Sequence, residues 1–146
     1  MTELPDIPEA EFREMAGRAW DGIPAKFGAR IDNVALLVED EPDEETRTRE
    51  HLSEHETLLG LYHGIPAALR GESYGVGVTL PDTITLYRIP ILEEADEFMR
   101  EKRFDDFRDA VEEALRETLW HEVGHYFGLH EHEVRAREKK GTNRFK

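Results

Sequence analysis

The chain has 146 residues, of which 38% are hydrophobic and 36% are charged, and its formal net charge is −14. This length favours one domain with a buried core, and the negative charge argues against nucleic acid or an anionic membrane as the main partner. The absence of cysteine excludes disulfides and thiolate zinc sites, so His, Asp or Glu must hold any metal. No apolar run suits a signal peptide or a membrane span of about 20 residues, and we expect a cytoplasmic protein.

The N-terminal half of the sequence predicts one helix and two strands. Residues 8–20 carry apolar side chains at helical spacing, and Val34–Val38 is an apolar run typical of a buried strand. Residues 39–56 are strongly acidic and predict a solvated loop with room for one helical turn. Residues 58–66 predict a short strand that leads into a turn.

The C-terminal half predicts a strand and two helices. In the strand Thr83–Arg88, apolar and polar side chains alternate, and the flanking Pro81 and Pro90 favour a place at the edge of a sheet. Residues 91–100 predict a short helix. A long amphipathic helix is expected to begin at Phe104.

The end of the long helix carries the sequence His-Glu-x-x-His. His121, Glu122 and His125 lie on the helix face that is directed towards the interior, so both imidazoles can reach one ion at about 2.0–2.1 Å. Glu122 is too close to His121 to be a comfortable third ligand, and it is placed instead to take a proton from water on the metal. The motif also arises by chance in chains rich in His and Glu, but its apolar surroundings favour a metal site.

The third ligand depends on what the chain does at Gly128. If Gly128 ends the helix in a sharp turn, Glu131 can fold back to the ion, and two histidines with a carboxylate are an accepted zinc set. If the helix continued, His132 would face the ion instead, and His130 is adjacent to both. Because glycine is poor within a helix and good just past its end, Glu131 ranks first.

Other histidines and tyrosines are weaker candidates. Residues 51–55 match the reversed motif His-x-x-Glu-His, but their neighbours are charged on nearly all sides, which is typical of a solvated segment. His63 follows a predicted strand and is a candidate hydrogen-bond donor to a transition state, although a surface or turn histidine is the commoner explanation. Tyr62, Tyr74 and Tyr87 are each candidate donors to an oxyanion, although packing of the ring with the hydroxyl in water is the commoner explanation.

The stretch HEVGHYFGLHE, residues 121–131, resembles the extended signature of the zincins. The segments NVALLVEDEP, LLGLYHGIP and LPDTITLYRIPI are similar, in the same order, to parts of the small bacterial zincin-like metallopeptidases, often called minimal metalloproteases. The resemblance implies an α+β fold, with a short twisted mixed sheet on the motif helix and an N-terminal helix. It implies zinc at His121 and His125, completed by Glu131, where the family commonly has Asp and metzincins have His.

We therefore expect residues 1–138 to form one zincin-like metallopeptidase domain, followed by a flexible basic tail over 139–146. It would cleave peptide or protein substrates with Zn²⁺ and with Glu122 as general base, the peptide lying along the strand at 83–88. One alternative is a protein that binds zinc without hydrolysis, in which the ion holds the motif helix to the following turn. Another is an acidic interaction module that keeps the motif without a metal.

Elemental mass analysis of the tag-free protein should find about one zinc ion per chain. Glu131→Ala should lose the ion, and His132→Ala should keep it, because a turn at Gly128 directs Glu131 towards the histidines. Loss of zinc with His132→Ala instead would mean that the helix continues past Gly128. A wild-type protein that takes up no zinc, even after the metal is added back, would exclude the metallopeptidase.

Overall fold

The computed structural model describes residues 5–23, 34–64 and 82–128, together with residues 133 and 136. The basic tail predicted over 139–146 lies outside these residues, so the proposed division of the chain stays a prediction. No helix in the described ranges is long and apolar enough to cross a bilayer. The described elements are α1 (Glu9–Asp21), β1 (Val34–Glu39), α2 (Glu44–Arg49), β2 (Gly60–His63), β3 (Asp82–Tyr87), α3 (Arg88–Arg100) and α4 (Phe107–Tyr126).

The three described strands form one mixed sheet in the order β1-β3-β2. β3 runs parallel to β1, with Val34 opposite Asp82, and antiparallel to β2, with Gly60 opposite Leu86. The expected edge position of the strand at 83–88 is therefore wrong, since β3 is paired on both sides. Pro90 was misleading because it lies in the first turn of α3, where its missing N–H costs nothing, and not in the strand ladder.

Two helices begin at positions that differ from the sequence prediction. α3 starts at Arg88, directly after β3, and not at residue 91. α4 starts at Phe107 and not at Phe104, because the Asp106 carboxylate caps it by accepting hydrogen bonds from the amides of Arg108 at 2.8 Å and Asp109 at 3.3 Å. The predicted helix over 8–20, the predicted strand Val34–Val38 and the short strand predicted within residues 58–66 are confirmed.

The core lies between one face of the sheet and the helices α1, α3 and α4. Ile84 and Leu86 of β3 are fully buried, because alternate residues of a strand point to the same face. Each such side chain stabilises the fold by about 1.5–3 kcal/mol through removal of its surface from water. The helices supply the remaining large buried side chains, among them Phe12, Met15, Ile91, Leu92, Phe98, Val111, Leu115 and Leu119. This is the α+β arrangement that the sequence predicts.

The opposite face of the sheet carries Tyr87, which is 2% exposed. Its hydroxyl is hydrogen-bonded to Thr46 of α2, and burial raises the pKa of this hydroxyl. Asp43 caps α2 by accepting a hydrogen bond from the Thr46 amide at 2.8 Å, and that bond lowers the pKa of the Asp43 carboxyl. Residues 51–56, which hold the reversed histidine motif, follow α2 as exposed, non-helical chain, apart from the partly buried Leu52.

Arg88 joins three segments at the junction of β3 and α3. Its guanidinium donates to Asp40 at 2.9 Å, to Asp6 at 2.8 Å and to the carbonyl of Ile7 at 2.7 Å. Its side chain is only 13% exposed, and the hydrogen bond to Asp40 raises its pKa. The chain before α1 and the chain after β1 are therefore both tied to the end of the central strand.

Arg88→Ala should lower the free energy of unfolding by about 2 kcal/mol, because it leaves the Ile7 carbonyl and two carboxylates without their common partner. Urea unfolding followed by circular dichroism measures the loss. Arg116→Ala is the control: Arg116 is 41% exposed, and its ion pairs in the described part of the chain are with Glu112 and Glu113 of its own helix. Arg116→Ala should lower the free energy of unfolding by less than about 0.5 kcal/mol. Equal losses in the two variants would contradict a structural role for Arg88.

Candidate active site

The last turns of α4 bring His121, Glu122 and His125 together. One ligand atom from each side chain lies within 4.8 Å of the other two, and the centroids of the two imidazole rings are 5.1 Å apart. Within the described ranges this is the one cluster of three or more histidine and acidic side chains close enough to hold a single metal ion. The imidazoles are half-buried, whereas Glu122 is only 6% exposed.

The donor atoms in this cluster fit zinc. Two ligands of one tetrahedral zinc ion, each at about 2.0–2.1 Å from it, lie ~3.4 Å apart. Imidazoles on successive turns of a helix approach this separation with small side-chain rotations. His121 and His125 are therefore suited to hold the ion, while the Glu122 carboxylate has a protein partner of its own.

The helix ends where the sequence predicts a sharp turn. Its last residue is Tyr126, and Gly128 has a φ of 91°, a conformation that favours glycine. The Gly128 amide donates to the His125 carbonyl at 2.9 Å, which closes the last turn. The helix therefore does not run on through Gly128. Glu131, His130 and His132 lie outside the described residues, so their roles as ligands stay predictions.

Glu122 is held by the backbone of β2. The Tyr62 amide donates to Glu122 Oε1 at 2.8 Å, although the two residues are 60 positions apart in the sequence. A carboxylate that is nearly removed from water is costly unless it accepts hydrogen bonds, and bonds from N–H to an ionised oxygen are among the stronger ones. β2 therefore stabilises the charged form of Glu122 and fixes its direction.

Gly60 allows β2 to approach α4 closely. A Cβ atom at Gly60 would lie 2.7 Å from Thr118 Cγ2 and 3.4 Å from Glu122 Cγ. Thr118 has little freedom to move away, because its hydroxyl donates to the Ala114 carbonyl at 2.7 Å. Gly60 was not a candidate at the sequence level, yet a glycine inside a strand pattern is a recognised sign that another backbone or side chain comes close.

The side chain of Tyr62 points to the same region as its amide. The hydroxyl donates to Asp82 Oδ2 at 2.5 Å, and the ring meets the edge of Tyr126 at a centroid distance of 6.0 Å. Asp82 is 3% exposed and was not a candidate at the sequence level, where it stood just before the predicted strand Thr83–Arg88. Of the other candidate tyrosines, Tyr87 lies on the far face of the sheet and Tyr74 lies outside the described residues.

His63 is not among the side chains that the structure brings to the cluster. It is exposed and follows Tyr62 directly in β2, so the alternation of the strand directs it to the opposite face of the sheet. Its predicted role as a transition-state donor stays a prediction. Tyr62, the residue before His63 in β2, is the one whose amide is hydrogen-bonded to Glu122.

Comparison with known proteins gives a match over most of the chain. A family model described as zincin-like metallopeptidase matches residues 31–141. No curated protein matches the chain. Among solved structures, the conserved hypothetical protein TTHA0227 from Thermus thermophilus is 26% identical, with coverage of 82% of this chain and 92% of that chain and a TM-score of 0.49. The family match contains the three described strands and the whole motif helix.

Gly60→Ala should lower the free energy of unfolding by about 1–3 kcal/mol, because the added methyl group overlaps the Thr118 side chain. Thermal and urea unfolding measure the change. Thr118→Ser removes the obstructing methyl group and keeps the hydroxyl. Gly60→Ala should therefore lower the free energy of unfolding less in a Thr118→Ser protein than in the wild type. Gly17→Ala is the control: it lies in α1, and among the described residues no atom outside its chain neighbours and the adjacent backbone of its own helix comes within 4 Å of the new methyl group. It should be neutral or stabilising by up to about 1 kcal/mol.

Proposed function

Because the chain belongs to the zincin-like metallopeptidase family, we propose that it is a zinc-dependent peptidase with His121 and His125 as metal ligands and Glu122 as general base. The observation that carries this proposal is the buried Glu122 carboxylate, fixed by a backbone amide beside two histidines on one helix turn. A structural metal site has no need of a carboxylate that is placed next to the ligands and held by another element.

His121 and His125 would hold the zinc ion, and we assign the third position to Glu131. When bound, zinc polarises the scissile carbonyl and makes a water molecule acidic enough to lose a proton near neutral pH. Three protein ligands leave a fourth position open, which catalytic zinc sites require. The turn at Gly128 supports this assignment, because it ends the helix before Glu131 is reached in the sequence.

Glu122 accepts the proton of the attacking water and delivers it to the nitrogen of the leaving amine. The hydrogen bond from the Tyr62 amide keeps the carboxylate in one orientation during both transfers. Because only 6% of Glu122 is exposed, few other water molecules can reach it. These residues therefore supply a positioned base in a partly dry site.

The family implies a peptide substrate, and the strand order decides where it would lie. β3 pairs on both sides and cannot accept a further strand, which rules out the predicted position along residues 83–88. β2 is the strand that touches Glu122, through its Tyr62 amide. We therefore place the extended peptide beside β2, within reach of the base and of both histidines.

Glu122→Gln should retain zinc and lower kcat on a cleavable peptide by about 10²–10⁴-fold, because the amide accepts no proton. Glu112→Gln is the matched control: it is a partly exposed glutamate of the same helix that pairs only weakly, at 3.8 Å with Arg18 and at 4.0 Å with Arg116. It should leave kcat within about twofold of the wild type. A mixed peptide library analysed by mass spectrometry supplies the substrate.

Two results would contradict the proposal. Turnover in Glu122→Gln at the wild-type rate would remove Glu122 from the role of base. A wild-type protein that binds zinc but cleaves no peptide in the library would favour the alternative in which the ion only joins the motif helix to the following turn.

A further inference from the structure

Two hydrogen bonds connect a second buried carboxylate to Glu122. Asp82 Oδ2 accepts from the Tyr62 hydroxyl at 2.5 Å, and the Tyr62 amide donates to Glu122 Oε1 at 2.8 Å. Both carboxylates are nearly removed from water, with Asp82 at 3% and Glu122 at 6% exposed. Tyr62 therefore lies between them, with one end bound to the central strand and the other to the motif helix.

Asp82 is a fixed point of the sheet. It is the first residue of β3, and it is paired with Val34 of β1. Gly64, which directly follows β2, packs against its carboxyl group. A Cβ atom at Gly64 would overlap that carboxyl, and the φ of Gly64 is +156°. The chain at this point thus fits closely around Asp82, which leaves its carboxylate little room to move.

Tyr62 can couple the position of the Asp82 carboxylate to that of Glu122, because the Tyr62 side chain has little conformational freedom. It has two rotatable side-chain bonds, and its ring is further fixed by the edge of Tyr126, with an interplanar angle of 88°. Tyr126 stands one helical turn after Glu122 on α4. The same part of the helix therefore meets both the ring and the amide of Tyr62.

We propose that Asp82 is a positioning residue for the general base: by binding the Tyr62 hydroxyl it fixes the β2 amide that orients Glu122. This proposal rests on the proposed function for its catalytic consequence, but the orientation itself is a property of the protein without a substrate. The hydroxyl of Tyr62 donates to a closely packed side-chain oxygen on the central strand, which suits an anchor. Loss of the anchor should let the amide drift from Glu122, and small displacements of a catalytic group are costly.

The test compares Tyr62→Phe, Asp82→Ala and Asp82→Asn with the wild type. Tyr62→Phe and Asp82→Ala remove the anchoring bond from either side, whereas the Asn side chain keeps an oxygen that accepts it. Tyr87→Phe is the control, because it removes a hydrogen-bonded tyrosine hydroxyl of β3, the one bonded to Thr46 on the far face of the sheet. Hydrogen exchange of the Tyr62 amide by NMR in the metal-free protein, zinc content, kcat and KM are measured for each.

We expect Tyr62→Phe and Asp82→Ala to speed exchange of the Tyr62 amide by roughly fivefold or more. They should retain zinc and lower kcat by roughly 10- to 100-fold with KM within about twofold. Asp82→Asn should restore most of both properties. Tyr87→Phe should change neither, even if it lowers the unfolding midpoint.

Unchanged amide exchange and unchanged kcat in Tyr62→Phe would overturn the proposal, as would effects in Tyr87→Phe of the same size as in Tyr62→Phe. If Asp82→Ala does not fold, Tyr62→Phe decides, because it keeps the ring and removes one oxygen. If the wild type shows no turnover, the proposed function fails, but the exchange of the Tyr62 amide still decides whether Asp82 positions Glu122.

Discussion

The hydrogen bond from the Tyr62 amide to Glu122 is the contact on which the arrangement of the candidate site depends. A strand from the middle of the chain must come close enough to α4 for its backbone to reach a buried carboxylate. This close approach explains why the strand has no side chain at Gly60, where a Cβ atom would overlap Thr118. The orientation of Glu122 therefore depends on how closely β2 packs against α4.

The same turn of α4 combines two environments. The imidazoles of His121 and His125 are half-buried and accessible to an ion, whereas Glu122 faces the interior between helix and sheet. A charged group in that interior lowers stability unless it is compensated, so natural cores avoid it. Here the Tyr62 amide supplies that compensation, and a buried but hydrogen-bonded carboxylate beside two histidines is the arrangement that motivates the proposed role of Glu122.

Local patterns predicted the parts of the site that lie within one element. Helical periodicity located α4, the spacing of His121 and His125 placed them on one face, and Gly128 marked the turn. The N-cap at Asp106 was also readable but was overlooked. Contacts between elements were not readable, because strand order and the partner of Glu122 depend on residues tens of positions away, for which a single sequence has no periodic signal.

The strand order also has a consequence for how the protein is made. β1 and β2 both pair with β3, and neither pairs with the other in the described sheet. Since β3 emerges from the ribosome last of the three, the earlier strands have no sheet partner until residues 82–87 have been synthesised. The helix that carries Glu122 and both histidines follows β3 in the chain and is therefore synthesised after all three strands. The nascent chain thus acquires His121, Glu122 and His125 after the strands against which their helix packs.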